Sequence, residues 1–191
     1  QHGKTYCWNV IDTETGWQSK SMLPFDYRFN DVLDENAWYY DAVYAAWDAG
    51  LMNGVGRDYF APNATLDRAT LATVLYREAG EPAAKGMASF TDIAEGQWYT
   101  DAVNWAAEQG VVNGYPDGTF GPDRNMTRAE VAQMFYALLN DQNVPATVSF
   151  SDVPDGAWYA DAVETLASLG MFTGYPDGTF HPNSTITRAE F

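Results

Sequence analysis

The stretch NGYPDGTFGPDRNMTRAEVAQMF at residues 113–135 decides the fold, because the chain repeats it. It returns sixty residues later as TGYPDGTFHPNSTITRAEF at residues 173–191. Self-similarity at a fixed period indicates a repeat architecture, in which one unit cannot bury its apolar face without its neighbours.

The same period runs through the rest of the chain and defines three tandem units. Each unit opens with a related phrase, FNDV at 29–32, FTDI at 90–93 and FSDV at 150–153, and continues with WYYDAV, WYTDAV or WYADAV. The predicted organisation is a non-repeat segment at 1–28 followed by repeats at 29–89, 90–149 and 150–191. By alignment, Phe191 falls early in the second helix of repeat 3, so that helix is expected to be truncated.

Each unit is predicted to hold two helices joined by a turn. In repeat 2 the first helix covers 98–109, with Gly110 as a left-handed C-terminal cap. In GYPDGTF the proline fixes φ and the glycine permits positive φ, which is typical of a turn. A second helix begins near Thr127. Its apolar stripe follows helical spacing: Val131, Met134, Phe135, Leu138 and Leu139.

The fold class is therefore mainly α, and three such units either close into a pseudo-threefold bundle or stack as a short solenoid. Residues 1–28 lie outside this pattern. There, KTYCWNVID and DTETG predict a strand and a hairpin. This segment is either the end of an upstream domain or a segment that packs in place of the missing end of repeat 3.

Composition excludes several function classes. A net charge of -16, from 26 acids and 10 bases, leaves too little Lys and Arg for a nucleic-acid-binding face or for attraction to anionic lipid headgroups. The chain contains no run of 18 apolar residues, so no membrane-spanning helix is predicted. The single cysteine cannot form an internal disulfide. The start lacks Met and a signal-peptide pattern, so we expect a mature product or an internal fragment.

An arginine at the start of each second helix is the candidate binding residue. Thr127 and Glu130 form a T-x-x-E capping box, which recurs at 187–190. The box does not explain the arginine, because a cation at the first helical position opposes the helix dipole. Three of the seven arginines occupy this position: Arg68, Arg128 and Arg188. Either they form anion sites together with exposed helix N–H groups, or they pair with acids of a neighbouring unit.

Other repeated residues have simpler interpretations. The tryptophans are predicted to be core anchors more than ligand platforms: Trp38, Trp98 and Trp158. The aspartates are predicted to be caps or turn formers, with sugar hydroxyls as alternative partners: Asp31, Asp92 and Asp152. The PDG turns lack the acidic ladder of a calcium loop, and His2 and His181 are predicted to face solvent. We predict no cofactor, no metal and, without a catalytic constellation, no enzyme.

The combination of F-x-D-[VI], W-Y-x-D-A-V, G-Y-P-D-G-T-F and T-R-A-E at fixed spacing resembles the S-layer homology family over residues 29–191. The resemblance implies a pseudo-threefold helical prism. It also implies non-covalent anchoring to secondary cell wall polysaccharide, commonly with pyruvate ketals, in grooves between units. Arg128 and Arg188, and Arg68 more weakly, would recognise the ketal carboxylate. Repeat 1 departs from the motif with Asp67 and Thr70, so its groove is expected to be altered.

These observations lead to one main functional hypothesis and two alternatives. The chain is expected to be a secreted, carbohydrate-binding anchor at a bacterial cell surface, whose sites include the repeated arginines, aspartates and tryptophans. A phosphate or a uronic acid would suit the same arginine chemistry. The alternatives are a self-associating module of a surface layer or filament, and a targeting module for an upstream enzyme.

Overall fold

The computed structural model describes residues 8–11, 18–21, 28–56, 58–139 and 144–191. Its helices are α1 (Tyr40–Asp48), α2 (Arg68–Glu78), α3 (Thr100–Glu108), α4 (Arg128–Leu138) and α5 (Ala160–Ser168). The predicted mainly helical fold with three repeats is therefore confirmed. None of the described helices combines the length and apolarity needed to cross a bilayer. The chain forms two compact units, residues 1–62 and 63–191, so a division falls inside the predicted repeat 1.

The first unit holds a two-stranded sheet and α1. Strands β1 (Trp8–Ile11) and β2 (Gln18–Ser21) pair antiparallel, with Trp8 opposite Ser21. The predicted strand and antiparallel pairing are confirmed, whereas the turn at 12–17 lies outside the described residues. In this unit Phe29 and Phe60 are buried, with ring centroids 5.4 Å apart.

The first helix of repeat 2 is shorter than predicted. The predicted range was 98–109, but α3 begins at Thr100, because Trp98 and Tyr99 belong to the turn before it. Its C-terminus follows the prediction. Gly110 has a φ of +70° and its N–H donates to Ala107 O, while the N–H of Val111 reaches back to Ala106 O at 2.8 Å. This pair of bonds is a Schellman motif, which uses the left-handed glycine to satisfy the last carbonyls of the helix.

The GYPDGTF turn delivers a phenylalanine to the core. The N–H of Gly118 donates to Tyr115 O at 2.9 Å and closes the turn. Gly114 has no room for a side chain, since a Cβ there would lie 2.5 Å from Phe90 Cε1. Phe120 follows the turn and is fully buried, as are its counterparts Phe60 and Phe180 in the other repeats. The repeated GYPDGTF segment therefore encodes a close backbone contact at its first glycine, followed by a buried phenylalanine.

The second helices start as the sequence predicts. In α4 the Thr127 hydroxyl accepts from the Glu130 N–H, and the Glu130 carboxylate accepts from the Thr127 N–H. The same reciprocal bonds join Thr187 and Glu190 in repeat 3, where one helical turn precedes Phe191. In the predicted stripe of α4, Val131 and Met134 are buried, whereas the later members are half-buried.

Helices pack between repeats. In the unit at 63–191, α2 packs on α3 and α4 packs on α5, so the second helix of one repeat covers the first helix of the next. Tyr76 and Trp105 connect the first pair, with ring centroids 5.7 Å apart. Ala132 of α4 joins Val163 and Leu166 of α5 in one buried cluster. This exchange of partners explains why the compact units do not follow the repeat boundaries.

A closed ring of backbone hydrogen bonds joins all three repeats within the unit at 63–191. The N–H of Leu66 donates to Ile186 O at 2.9 Å, and the N–H of Ile186 donates to Met126 O at 3.1 Å. The N–H of Met126 closes the ring by donating to Leu66 O at 2.9 Å. An open stack would leave the first and last segments unpaired. The ring therefore favours the closed alternative for these segments.

Candidate functional site

The backbone N–H groups at the starts of α2 and α4 already donate hydrogen bonds to carbonyls of the next repeat. The first N–H of α4, from Arg128, donates to Ser184 O at 2.9 Å, and the next, from Ala129, donates to Pro182 O at 3.0 Å. In α2 the corresponding donors bond Arg124 O and Pro122 O. The prediction of exposed helix N–H groups is therefore wrong at these two helices. The backbone ring brings the loop of the next repeat over each helix start, and its carbonyls satisfy donors that would otherwise face solvent.

The arginine side chains also reach the next repeat. Arg128 donates from Nε to Phe180 O and from Nη2 to Thr173 O, both at 2.8 Å. Arg68 donates from Nη2 to Asn113 O at 2.7 Å. Neither guanidinium pairs with a carboxylate within the described residues, so the predicted ion pair with a neighbouring acid is wrong for these two residues. Carbonyls of the adjoining repeat take that role instead.

Aromatic rings enclose both guanidiniums. Arg128 lies over Phe180 at 4.5 Å and Tyr175 at 5.3 Å, measured from Cζ to the ring centroids. Arg68 lies in the same way over Phe120 and Tyr115. A guanidinium over an aromatic face gains about 0.5–2 kcal/mol, the upper end applying when it is desolvated. Both side chains are buried, and each is attached to the repeat that follows its own.

The two junctions differ in their hydrogen bonds. Arg128 Nε has a carbonyl partner, but Arg68 Nε and Tyr115 Oη are buried without one. Burial lowers the pKa of Arg68 from its ordinary value, while Tyr115 and Glu130 act in the opposite direction. On Nη1, neither Arg68 nor Arg128 makes a hydrogen bond to any described residue.

Arg188 occupies the equivalent position in repeat 3. It is buried, and its N–H donates to Ala64 O at 2.9 Å, which repeats the backbone contact of the other two arginines. The backbone of Arg188 therefore takes the position that its alignment with Arg68 and Arg128 predicts.

The repeated aspartates lie in turns, as predicted, but they do not act as local caps. Asp92 accepts the N–H groups of Phe120 and Gly121, both at 2.7 Å. Asp152 and Asp31 each accept two N–H groups at the same positions of their own repeats: Phe180, His181, Phe60 and Ala61. The cap prediction failed because the acceptor and its donors lie 28 to 30 residues apart. Each carboxylate fixes the segment that follows the buried phenylalanine.

The repeated tryptophans are exposed, so the prediction that they are core anchors is wrong. Their exposed fractions are 69% for Trp38, 62% for Trp98 and 63% for Trp158. Each ring meets the following tyrosine edge-on, with centroids 5.2 to 5.4 Å apart. The predicted stripe placed Trp98 on a helix that had not yet begun, so helical spacing did not apply to it. Ala102, Val103 and Ala106 of that stripe are buried as expected.

The structure brings some predicted site residues together and leaves others apart. Arg128 and Asp152 meet at Phe180, one bonding its carbonyl and the other its N–H. No cation–π contact joins the tryptophans to these arginines within the described residues. Sequence reasoning missed Tyr115 and Tyr175, although their repetition in GYPDGTF was visible. It also missed the two basic residues on those rings, Arg124 and His181.

His181 faces solvent as predicted, but it is not isolated. Its side chain is 45% exposed, and its ring lies 4.6 Å from the Tyr175 centroid. It also contacts Asp152 and Thr179. The residue belongs to the junction between repeats 2 and 3.

A cavity of about 230 Å³ lies beside the same junction. Its lining comes from α4 and repeat 3: Arg128, Phe135, Met171, Phe172, Thr173, Ile186, Glu190 and Phe191. No group of three or more His, Cys, Asp or Glu side chains in the described part of the chain is arranged to hold a metal ion.

Comparison with known proteins places these features in a family. The S-layer homology domain model matches residues 28–72, 89–132 and 149–191. Two relatives come from Acetivibrio thermocellus. Cell surface glycoprotein 1 is 35% identical over 69% of this chain and 6% of its own length, and the cellulosome-anchoring protein is 34% identical over 74% and 34%.

An exoglucanase, XynX, from the same organism is 29% identical over 95% of this chain and 16% of its own length. The chain thus spans 34% or less of the length of each of these three relatives. The domain matches cover both arginine junctions and the three exposed tryptophans. The chain belongs to the S-layer homology domain family.

Proposed function

We propose that the chain is a non-enzymatic anchor that attaches a protein to a bacterial cell surface by binding cell wall polysaccharide. The carrying observation is the threefold recurrence of a tryptophan that is more than 60% exposed in every repeat. Single exposed apolar residues are ordinary on protein surfaces. Core packing does not explain three large rings kept mostly exposed at one repeat position, and a rigid aromatic face suits contact with a saccharide.

The names of the relatives support an anchoring role. A surface glycoprotein, an anchoring protein and an exoglucanase share this segment, although each is much longer than the shared part. A segment common to proteins with such different names fits attachment better than catalysis. The exoglucanase also fits the view that such repeats target an enzyme, in which case the enzyme is the cargo and the repeats remain the anchor.

We further propose that the polysaccharide carries an acidic group, for which a pyruvate ketal is the leading candidate. The Nη1 donors of Arg68 and Arg128 have no protein acceptor among the described residues, and a guanidinium suits a carboxylate. Recognition then depends on local arginine sites. This resolves the conflict between an anionic polymer and a chain whose net charge is -16.

Sedimentation with purified bacterial walls tests the proposal. The chain should bind walls that carry pyruvylated polysaccharide and should not bind the same walls after extraction of the polysaccharide. Replacing both Trp98 and Trp158 by alanine should weaken binding at least tenfold. Because both rings are exposed, the free energy of unfolding should change by only about 0.5 kcal/mol per site.

The matched control is Met87→Ala, which removes an equally exposed apolar side chain from outside the repeated positions. It should bind walls like the parent chain. Equal binding by the double tryptophan variant and the parent would overturn the saccharide-contact role of these rings. Binding to extracted walls would overturn the polysaccharide as the partner.

A further inference from the structure

Both arginine junctions place a second basic group on the same tyrosine. At the junction of repeats 1 and 2, Arg124 lies 4.3 Å from the Tyr115 centroid, and Arg68 lies 5.2 Å from it. At the junction of repeats 2 and 3, the His181 ring lies 4.6 Å from the Tyr175 centroid, with Arg128 at 5.3 Å. Two bases therefore share one ring in both places.

The second base comes from different positions in the two repeats. Arg124 aligns with Ser184, and His181 aligns with Gly121. A Cβ added at Gly121 would lie 2.8 Å from Arg124 Cδ and 3.1 Å from Tyr115 Cε2. Arg124 thus occupies the space that a side chain at position 121 would need. A basic side chain therefore fills the same location in both repeats, although it comes from non-equivalent sequence positions. A side chain that served only to cover the tyrosine ring would not need to be basic in both repeats.

Hydrogen bonding orients the His181 imidazole. The Thr179 hydroxyl donates to Asp177 Oδ1 at 2.6 Å, so its oxygen accepts from His181 Nε2 at 3.0 Å. This fixes the proton of the neutral imidazole on Nε2. Nδ1 then faces Asp152 Oδ2 at 3.8 Å and is the atom that takes up the second proton.

The two tyrosines differ in the type of their second base, a guanidinium at Tyr115 and an imidazole at Tyr175. Arg68 and Arg124 both lie on the Tyr115 ring. The acids recorded at this junction are Asp117, which interacts with Arg124, Glu130, which interacts with Arg68, and Asp92, which binds the N–H of Gly121. At Tyr175 the charged groups facing His181 are Asp152, Asp177 and, across the ring, Arg128. Both bases at the first site are guanidiniums, which stay charged at every physiological pH. At the second site one of the two bases is an imidazole, the side-chain type whose charge can change between pH 5 and 8.

We infer that the second base determines the specificity of each junction for an acidic saccharide, and that His181 makes binding between repeats 2 and 3 tighter at acidic pH. The inference rests on the proposed polysaccharide binding. Arg124 gives the junction of repeats 1 and 2 the same preference without pH dependence. One added unit charge at a partly exposed site changes affinity by about fivefold.

Calorimetric titration of the full chain with purified pyruvylated wall polysaccharide, at pH 5.5 and pH 8.0, tests the inference. The parent should bind about fivefold more tightly at pH 5.5. His181→Asn keeps a polar side chain that tolerates the left-handed backbone (φ +55°) and should abolish this ratio. Arg124→Gln is the matched control, and it should weaken binding equally at both pH values.

The outcomes separate this inference from the proposed function. An unchanged pH ratio in His181→Asn, or no pH dependence in a parent that binds, overturns the inference and leaves the function standing. Failure of the parent to bind at either pH overturns the function itself.

A second measurement avoids substitution altogether. The chain has only two histidines, so the imidazole of His181 can be followed by NMR with His2 as an internal control. By linkage, saturation with the polysaccharide should raise the titration midpoint of His181 by about 0.7 pH units. A midpoint that stays fixed under saturation would refute the inference.

Discussion

Removal of the Asp92 carboxylate should destabilise the protein strongly, although the residue is exposed. Asp92→Ala deletes two hydrogen bonds of 2.7 Å, to the N–H groups of Phe120 and Gly121. A bond to a charged acceptor contributes about 1.5–3 kcal/mol. The Phe120 N–H belongs to a fully buried residue and would lose its partner, whereas water can reach the Gly121 N–H. We therefore expect a loss of about 2–4 kcal/mol, below the simple sum.

Urea unfolding followed by tryptophan fluorescence and by circular dichroism measures this loss. Asp92→Asn keeps one acceptor oxygen but turns an amide group toward the other N–H, so it should lose about half as much as Asp92→Ala. Glu95→Gln is the control, because Glu95 is an exposed acid three residues away. It should stay within about 0.5 kcal/mol of the parent. If Asp92→Ala and the control had the same free energy of unfolding, the idea that this carboxylate fixes the segment at Phe120 and Gly121 would be refuted.

Three further changes test other parts of the fold. Gly114→Ala should cost at least 2 kcal/mol, because its Cβ would overlap Phe90, whereas Gly110→Ala meets only backbone strain and should cost about 1–2 kcal/mol in thermal unfolding. Thr127→Ala removes a capping hydroxyl and should cost about 1 kcal/mol in the same assay. Burial alone would raise the pKa of Asp152, but N–H donors hold it below its ordinary value, so its stabilising contribution is complete above about pH 4 and disappears as the pH falls further. Asp152→Ala should therefore show a flatter acid-unfolding profile than the parent, and an identical profile would contradict this assignment.

Sequence reasoning succeeded where the determining chemistry is local. The capping box of Thr127 and Glu130 spans four residues, and the left-handed Gly110 acts on the turn that contains it. The repeat period fixed the number of units and the equivalence of their positions. These features need no knowledge of distant partners, so the residues alone predicted them.

It failed where the partner lies in another repeat or where an element begins at an unexpected residue. The N–H of Arg128 bonds a carbonyl 56 residues away, and nothing in the local pattern marks that acceptor. Trp98 was assigned to a buried stripe because the stripe was extended past Tyr99, the N-cap of α3. Element boundaries are uncertain by one or two residues, and here two residues separate a core anchor from an exposed ring.

The arginine at the start of α2 and of α4 now has an explanation that does not require a ligand. A cation at the first helical position opposes the dipole by a few tenths of a kcal/mol. Arg128 offsets this through two carbonyl bonds and two aromatic contacts, all made to repeat 3. Arg68 makes equivalent contacts to repeat 2, so recurrence of the arginine at these two junctions follows from its role as a joint.

This joint changes how arginine substitutions must be interpreted. Arg128→Ala would break the attachment of repeat 3 to repeat 2, so it would lose binding whether or not Arg128 touches the polysaccharide. Arg128→Lys keeps the charge but cannot span both carbonyls, and should lower the melting temperature by several degrees. Exposed residues are the informative positions: Trp158 lies outside the joint, so a loss of binding there with unchanged stability identifies contact with the ligand.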